Sequence, residues 1–413
     1  MPVVVLFIIF VVLLVIAVPV SITLGITSVL PSVFDPSFTV GAKYLIRAMF
    51  GGLDSFPLLA VPMFVLSGII MAKGGISKKL FDVFAYFLGK FTAGMPCAVI
   101  VTCLFYGAIS GSAPATVAAV GSMTIPILSN LGYDLTFSTA IVAVAGGLGV
   151  IIPPSIPFIM YGMASGASVS DLFLAGIIPG LMIGALLMLY AIYHCKRYGE
   201  DKEKIHAEVQ MLHDKGLLKV LKESFFALLS PVIILGCIYT GVASPTEAAV
   251  ISVFYALIIS LFVYKSIKLR DIWPILVEAI RTFTPILFIL AASTAFSRVL
   301  TLMQVPQTVS EFILNNFHSP VAILLIINLF LLIVGMVMDT TPAILILTPI
   351  LLPIVTAVGM NRSQSVRCKF TDRCAGYADC KKSPANDRIF PGSATPDHFH
   401  TGNLYRNLIG GKT

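Results

Sequence analysis

The sequence predicts an all-α integral membrane protein, and three observations carry that prediction. First, the 413 residues are 57% hydrophobic and only 11% charged, with a mean hydropathy of +0.97, well outside the soluble range. Second, the apolar runs are long and do not alternate. An outer-membrane barrel would show strands of period two instead. Third, two of these runs are interrupted by short polar breaks. One is Ser110-Gly111-Ser112-Ala113-Pro114, between the uncharged runs 92–109 and 115–128. The other is Met338-Asp339-Thr340-Thr341-Pro342-Ala343, between 321–337 and 344–358. No stretch is left over for a soluble domain of ordinary size.

Taken in order, residues 3–18 are apolar, with no basic residue before them and no small-x-small pattern after them. They read as a retained first span rather than a cleaved leader, kinked at Pro19 because proline lacks the N–H that a helix interior uses. Lys43 and Arg47 mark an interfacial stretch, and 56–71 is a second span. A basic turn at Lys73, Lys78 and Lys79 leads into 80–90, read as a helix lying along the interface or a connecting arm. The 110–114 break follows. Residues 140–162 are apolar but hold Gly146-Gly147-Leu148-Gly149 and Pro153-Pro154. Two adjacent prolines remove two N–H groups and crowd the preceding turn, so this segment is a broken or kinked span. Residues 172–193 form an uninterrupted span ending at Lys196 and Arg197.

The hydrophilic connection 196–223 is rich in lysine, which assigns it to the cytoplasmic side. It divides the chain into a first repeat, 1–195, and a second, 224–361. The second repeat opens with spans near 225–239 and 248–263. Glu278 and Arg281 are read as marking another interfacial helix, before the break at 339–342. A weak internal match supports the division: Ser112-Ala113-Pro114-Ala115 aligns with Thr340-Thr341-Pro342-Ala343 at an offset of 228.

The chemistry of the breaks is what makes them candidates. Ser112 can cap the helix that follows, and Pro114 fits its first turn. Backbone groups freed at a broken membrane helix cannot be satisfied by lipid, so an ion, a substrate, water or another helix must meet them. Paired breaks in two halves are the best sequence pointer to a transporter site. The alternative is plainer: each break is a surface loop between two spanning helices, since runs of this length just span a bilayer.

Charge and cysteine content exclude other classes. Residues 1–361 hold 18 basic and 16 acidic residues, net +2, whereas 362–413 hold 9 and 4, net +5. The overall +7 therefore comes mostly from the end of the chain and does not call for nucleic acid. Cys97, Cys103, Cys195 and Cys237 read as small packing residues, and the spacing of Cys368, Cys374 and Cys380 matches no zinc pattern.

Together these features resemble the large membrane subunit of the tripartite ATP-independent periplasmic (TRAP) transporters. The residues carrying the resemblance are FPLLAVPMFVLSGIIMAKGG at 56–75, ISGSAPATVAAVG at 109–121, GVIIPPSIPFIMYG at 149–162, LAGIIPG at 174–180, TGVASPTEAA at 240–249, and 338–353. The resemblance implies an inverted-repeat, elevator-type transporter with two re-entrant helical hairpins. It implies sodium-driven uptake of a small organic acid across the bacterial inner membrane. It implies two partners, a small four-span membrane subunit and a periplasmic substrate-binding protein, and no cofactor beyond the coupling ion Na⁺. By the same resemblance Ser110, Gly111, Ser112 and Pro114 form the first hairpin tip. Gly149, Pro153 and Pro154 form the first broken span. Asp339, Thr340, Thr341 and Pro342 form the second tip.

The chain departs from the family after about residue 361. A further broken span with another proline pair is expected there, and 362–413 is instead polar and reads as disordered. The second repeat is thus incomplete, as a reading-frame change would leave it. Three other readings stand beside the transport subunit: a stand-alone sodium–carboxylate symporter, an inactive product of a disrupted gene, and an intramembrane protease using Asp339. The last needs a second aspartate inside a span, and Asp171 lies only at a span edge.

Overall fold

A computed structural model describes residues 3–34, 38, 41–317 and 319–357. The expectations for a further broken span and a disordered tail lie outside these residues. The described residues form helices and turns, with no strand.

The chain opens with α1 (Val3–Val15) and α2 (Val20–Phe34). Here the expected kinked first span is corrected: the helix ends rather than bends. Ala17 takes φ +64, and its N–H and that of Val18 turn back to the carbonyls of Leu14 and Leu13 at 2.9 and 3.0 Å. Pro19 supplies the reason, since it offers no N–H and pushes Val18 away from helical geometry. After α3 (Ala42–Leu53) and a 3₁₀ turn come α4 (Ala60–Lys73) and α5 (Ile76–Leu88). Gly75 joins the last two at φ +72. Helix α5 is amphipathic and buries Leu80, Phe81 and Val83.

The first break separates α6 (Gly94–Ser110) from α7 (Ala113–Asn130). The expected broken span is α8 (Leu135–Gly146), a 3₁₀ turn Gly147–Val150, and α9 (Ile156–Ser165). The uninterrupted α10 runs Val169–Tyr198. The hydrophilic connection is itself helical, as α11 (Lys202–Asp214), which buries Ile205, Val209 and Leu212 and packs on α5. Then follow α12 (Leu217–Tyr239) and α13 (Pro245–Ile258), the latter closing in a π-turn, Ile259–Val263. Helix α14 is continuous over Ile272–Leu302. This corrects the interfacial-helix reading of Glu278 and Arg281: both sit in the opening turns of one 31-residue helix. Their charges occupy so little of an otherwise apolar helix that nothing stops it there. The described chain closes with α15 (Val305–Asn316), α16 (Pro320–Val337) and α17 (Thr340–Ala357).

Among the described residues, six helical segments are long and apolar enough to cross a membrane. They are Phe56–Lys73, Val169–Tyr198, Leu217–Tyr239, Pro245–Val263, Leu269–Leu302 and Thr340–Ala357. Three apolar clusters hold the helices together. One surrounds α6 with α5, α7 and α8. A second joins α4, α9 and α13, reaching α14 and α17 through Leu290 and Leu345. A third joins α1 and α2 to the outer parts of α14 and α17, where Phe10 stacks on Phe296 at 5.8 Å.

Candidate functional site

The two breaks, 228 positions apart in sequence, border one cleft of about 530 Å³. Gly111, Ser112 and Pro114 line it from the first break, and Asp339, Thr340 and Thr341 from the second. Ile156 and Pro157, at the start of α9, line it as well. Three helix N-termini, those of α7, α9 and α17, therefore converge on one space. Each presents N–H groups without intrahelical acceptors and the positive end of a helix dipole.

The first break is shaped by its glycines and hydroxyls. Helix α6 stops because Gly111 takes φ +62, and its N–H closes on the carbonyl of Gly107 at 2.9 Å. The Gly111 carbonyl in turn accepts from Ile156 N–H at 3.2 Å, tying the tip to the broken span. Gly149 lies against the back of the tip: a Cβ there would fall 2.4 Å from Thr116 Oγ1 and 3.1 Å from the Ser112 carbonyl. Gly107 is as tight, with a Cβ position 2.5 Å from the Gly149 Cα.

Ser112 occupies the N-cap position of α7 with φ −139 and ψ 128, but its side chain makes no capping bond, which corrects the expected cap. The local hydrogen bonds are taken by others. Ser110 Oγ accepts from Ser112 N–H at 3.4 Å and pairs with Thr116 Oγ1 at 2.9 Å. Thr116 Oγ1 also donates to the Ser112 carbonyl at 2.8 Å. With Ser110 and Thr116 holding the turn, the Ser112 hydroxyl remains on the cleft wall. In the broken span, Ser155 does cap α9, accepting from Phe158 N–H at 3.4 Å, while its own hydroxyl donates to the Val150 carbonyl at 2.6 Å.

Of the eleven candidate residues, six line the cleft: Gly111, Ser112, Pro114, Asp339, Thr340 and Thr341. Ser110, Gly149, Pro153, Pro154 and Pro342 lie behind it and are buried. The Pro153-Pro154 peptide bond is cis. The sequence reading missed an ion pair at the cleft, Lys73 to Glu278 at 2.5 Å, both of which line it. Lys73 was legible only as part of a basic turn and Glu278 only as a charge in an apolar segment. Thr282, one turn beyond Glu278, lines the same wall.

Long apolar helices, two opposed breaks and a cleft between them define a multi-span membrane protein built around interrupted helices. Residues 7–366 match the family described as "Tripartite ATP-independent periplasmic transporter, DctM component", and the chain belongs to it. It is accordingly a multi-pass protein of the bacterial inner membrane. The family match ends close to where the sequence changes character at 361.

Among its relatives is the isethionate TRAP transporter permease protein DctMQ of Oleidesulfovibrio alaskensis. It is 42% identical over 360 residues, covering 87% of this chain and 56% of that protein. A putative TRAP transporter large permease protein of Haemophilus influenzae is 37% identical, covering 78% of this chain and 74% of the relative. The C4-dicarboxylate TRAP transporter large permease protein DctM of Pseudomonas aeruginosa is 38% identical, covering 76% and 72%. The chain thus spans little more than half the length of the first of these and about three quarters of the others.

Proposed function

We propose that this chain is the large permease subunit of a sodium-driven, binding-protein-dependent carrier of small organic acids. The observation that carries the reading is the convergence of three helix N-termini on one cleft beside Asp339. N-terminal N–H groups suit a carboxylate, and a carboxylate side chain with main-chain carbonyls at helix ends suits Na⁺. An ion and an anion bound side by side neutralise each other's charge, which is what a coupled carrier in a low-dielectric span requires. The relatives named for isethionate and for C4-dicarboxylates support a small organic anion as substrate.

In this reading Ser112, Thr340 and Thr341 offer hydroxyls to the substrate, and Asp339 with the Gly111 region holds sodium. The two breaks act as re-entrant hairpin tips that move together past a fixed scaffold. A small four-span subunit braces that scaffold, and a periplasmic binding protein delivers the acid. The cleft lies beside the lysine-rich end of α4 and α5, at Lys73, Lys78 and Lys79, so it faces the cytoplasm by the excess of basic residues there.

The test is reconstitution of this chain in proteoliposomes with its small subunit and binding protein. Uptake of labelled organic acids is measured under an inward sodium gradient and under none. Gradient-dependent uptake that requires the binding protein is the expected result; gradient-independent uptake overturns sodium coupling. Uptake without the binding protein favours a stand-alone symporter. The protease reading finds no second aspartate on the cleft: its other lining carboxylate is Glu278, which is paired with Lys73.

A further inference from the structure

The cytoplasm-facing cleft has two kinds of wall. One is α4, which carries no break and contributes Gly68, Ile69, Ala72 and Lys73. Helix α4 packs along α13 and α14. Polar ties hold both of its ends there. Thr246 Oγ1 donates to the Phe56 carbonyl at 3.4 Å, Ser266 Oγ donates to the Gly74 carbonyl at 2.9 Å, and Lys73 pairs with Glu278. The other kind of wall is the first hairpin. Its leg α6 is interlocked with the broken span: the Gly107 Cβ position falls 2.5 Å from the Gly149 Cα, and Ile156 N–H donates to the Gly111 carbonyl at 3.2 Å. Packing at backbone distance transmits displacement, so the hairpin and the broken span travel as one.

Where the two walls meet, the contact is of another sort. Tyr106 on α6 is wholly buried, and its O–H donates to the Gly68 carbonyl of α4 at 3.0 Å. A Cβ on Gly68 would stand 3.2 Å from both the Cα and the Cβ of Ser110, so α6 meets α4 there with no α4 side chain in its way. Gly68 and Tyr106 both line the cleft, beside Gly111 and Ser112. A smooth contact crossed by a directional bond suits a sliding surface with a catch. Gly68 lies inside α4, so its carbonyl keeps a helical donor with or without the phenol. The phenol is less secure. Once off Gly68 it must find another acceptor or stand unpaired in an apolar interior, which is costly.

We propose that the hydrogen bond from Tyr106 to Gly68 is a catch that holds this carrier in its cytoplasm-facing arrangement. The proposal rests on the reading in which the hairpin tips move past a fixed scaffold, and it deepens that reading by assigning Gly68 to the scaffold and Tyr106 to the moving body. The bond forms when the hairpin reaches this position and breaks each time the hairpin leaves it. It therefore biases the equilibrium toward the inward side by about two- to tenfold, the worth of one net hydrogen bond. Binding from outside draws only on the outward-facing fraction, so the bias weakens the apparent affinity on that side by the same factor.

Two variants test it. Tyr106→Phe removes the bond and keeps the ring, and Gly68→Ala wedges a methyl against Ser110 and leaves the phenol intact. In reconstituted uptake each is expected to lower the concentration of acid-loaded binding protein that gives half-maximal rate, by roughly two- to tenfold. An unchanged or raised value in Tyr106→Phe overturns the proposal, since a bond that only supports the fold has no reason to improve apparent affinity. The second measurement uses the purified full chain in detergent. Cys103 is wholly buried and lies on the same face of α6 as Tyr106 and Ser110, at spacings of three and seven residues. Its alkylation by N-ethylmaleimide, read by mass spectrometry, is expected to quicken several-fold in Tyr106→Phe while buried Cys195 on α10 keeps its rate. No change at Cys103 overturns the catch, and equal quickening at Cys195 overturns it in favour of general loosening. Absence of uptake by the unaltered chain would count against the carrier reading instead. The labelling needs neither sodium nor acid, so it decides the catch separately.

Discussion

At position 111 the chain adopts a left-handed backbone with Pro154's carbonyl 3.0 Å from where a Cβ would stand. Gly111→Ala therefore carries a backbone cost of about 1–2 kcal/mol, to which the close carbonyl adds. Replacement by valine is expected to abolish sodium-dependent uptake while membrane insertion, followed by fractionation, is retained. Gly107→Ala makes a different point, because its obstacle is the Gly149 backbone rather than a movable side chain. It should separate α6 from the broken span and lower the melting temperature of the purified chain by several degrees. Ser112→Ala should leave the melting temperature unchanged, since the hydroxyl makes no capping bond. A large thermal loss in that variant would mean that the hydroxyl supports the turn after all.

At the scale of elements, the cleft wall is pinned by the ion pair between the end of α4 and the start of α14. Its side chains are 42% and 49% exposed, so screening holds its worth below about 1 kcal/mol. Glu278→Gln should barely move thermal stability. It should lower the half-saturation concentration for uptake, because Lys73 then meets the substrate's carboxylate without a competing anion. Helix α5 offers a pH experiment. Burial raises the Asp82 carboxyl above its ordinary value of 3.8, against the pull of Lys215, Lys78 and Lys79. The folded state then holds a proton that the unfolded chain has released, so stability falls as pH rises from about 3.8 through the raised value. Asp82→Asn removes that penalty: its melting temperature should match the native chain below this window and exceed it above.

For the whole molecule, the proposed sodium site, assembled from two distant breaks, would link ion binding to folding. A ligand bound only by the folded chain stabilises it by about 2.7 kcal/mol at a hundredfold excess over its Kd. Replacing sodium chloride with choline chloride should therefore lower the melting temperature, and Gly111→Val should erase the difference. The sequence by itself determined the membrane class, many of the helices and the position of both breaks, because each of these is written in local composition. Pro114 and Pro342 fit the first turn of a helix that follows a polar break, and Gly111 fits a helix end. It also marked 140–162 as a broken or kinked span, through Pro153 and Pro154. Only the tertiary structure decided that the breaks face one another, that the start of α9 joins them, that Lys73 meets Glu278, and that α1 ends at Val15, before the left-handed Ala17. The physical reason is that membrane helices are apolar on every side. Their sequence carries no amphipathic stripe to say which face meets which neighbour, so partners far apart along the chain are settled by packing alone.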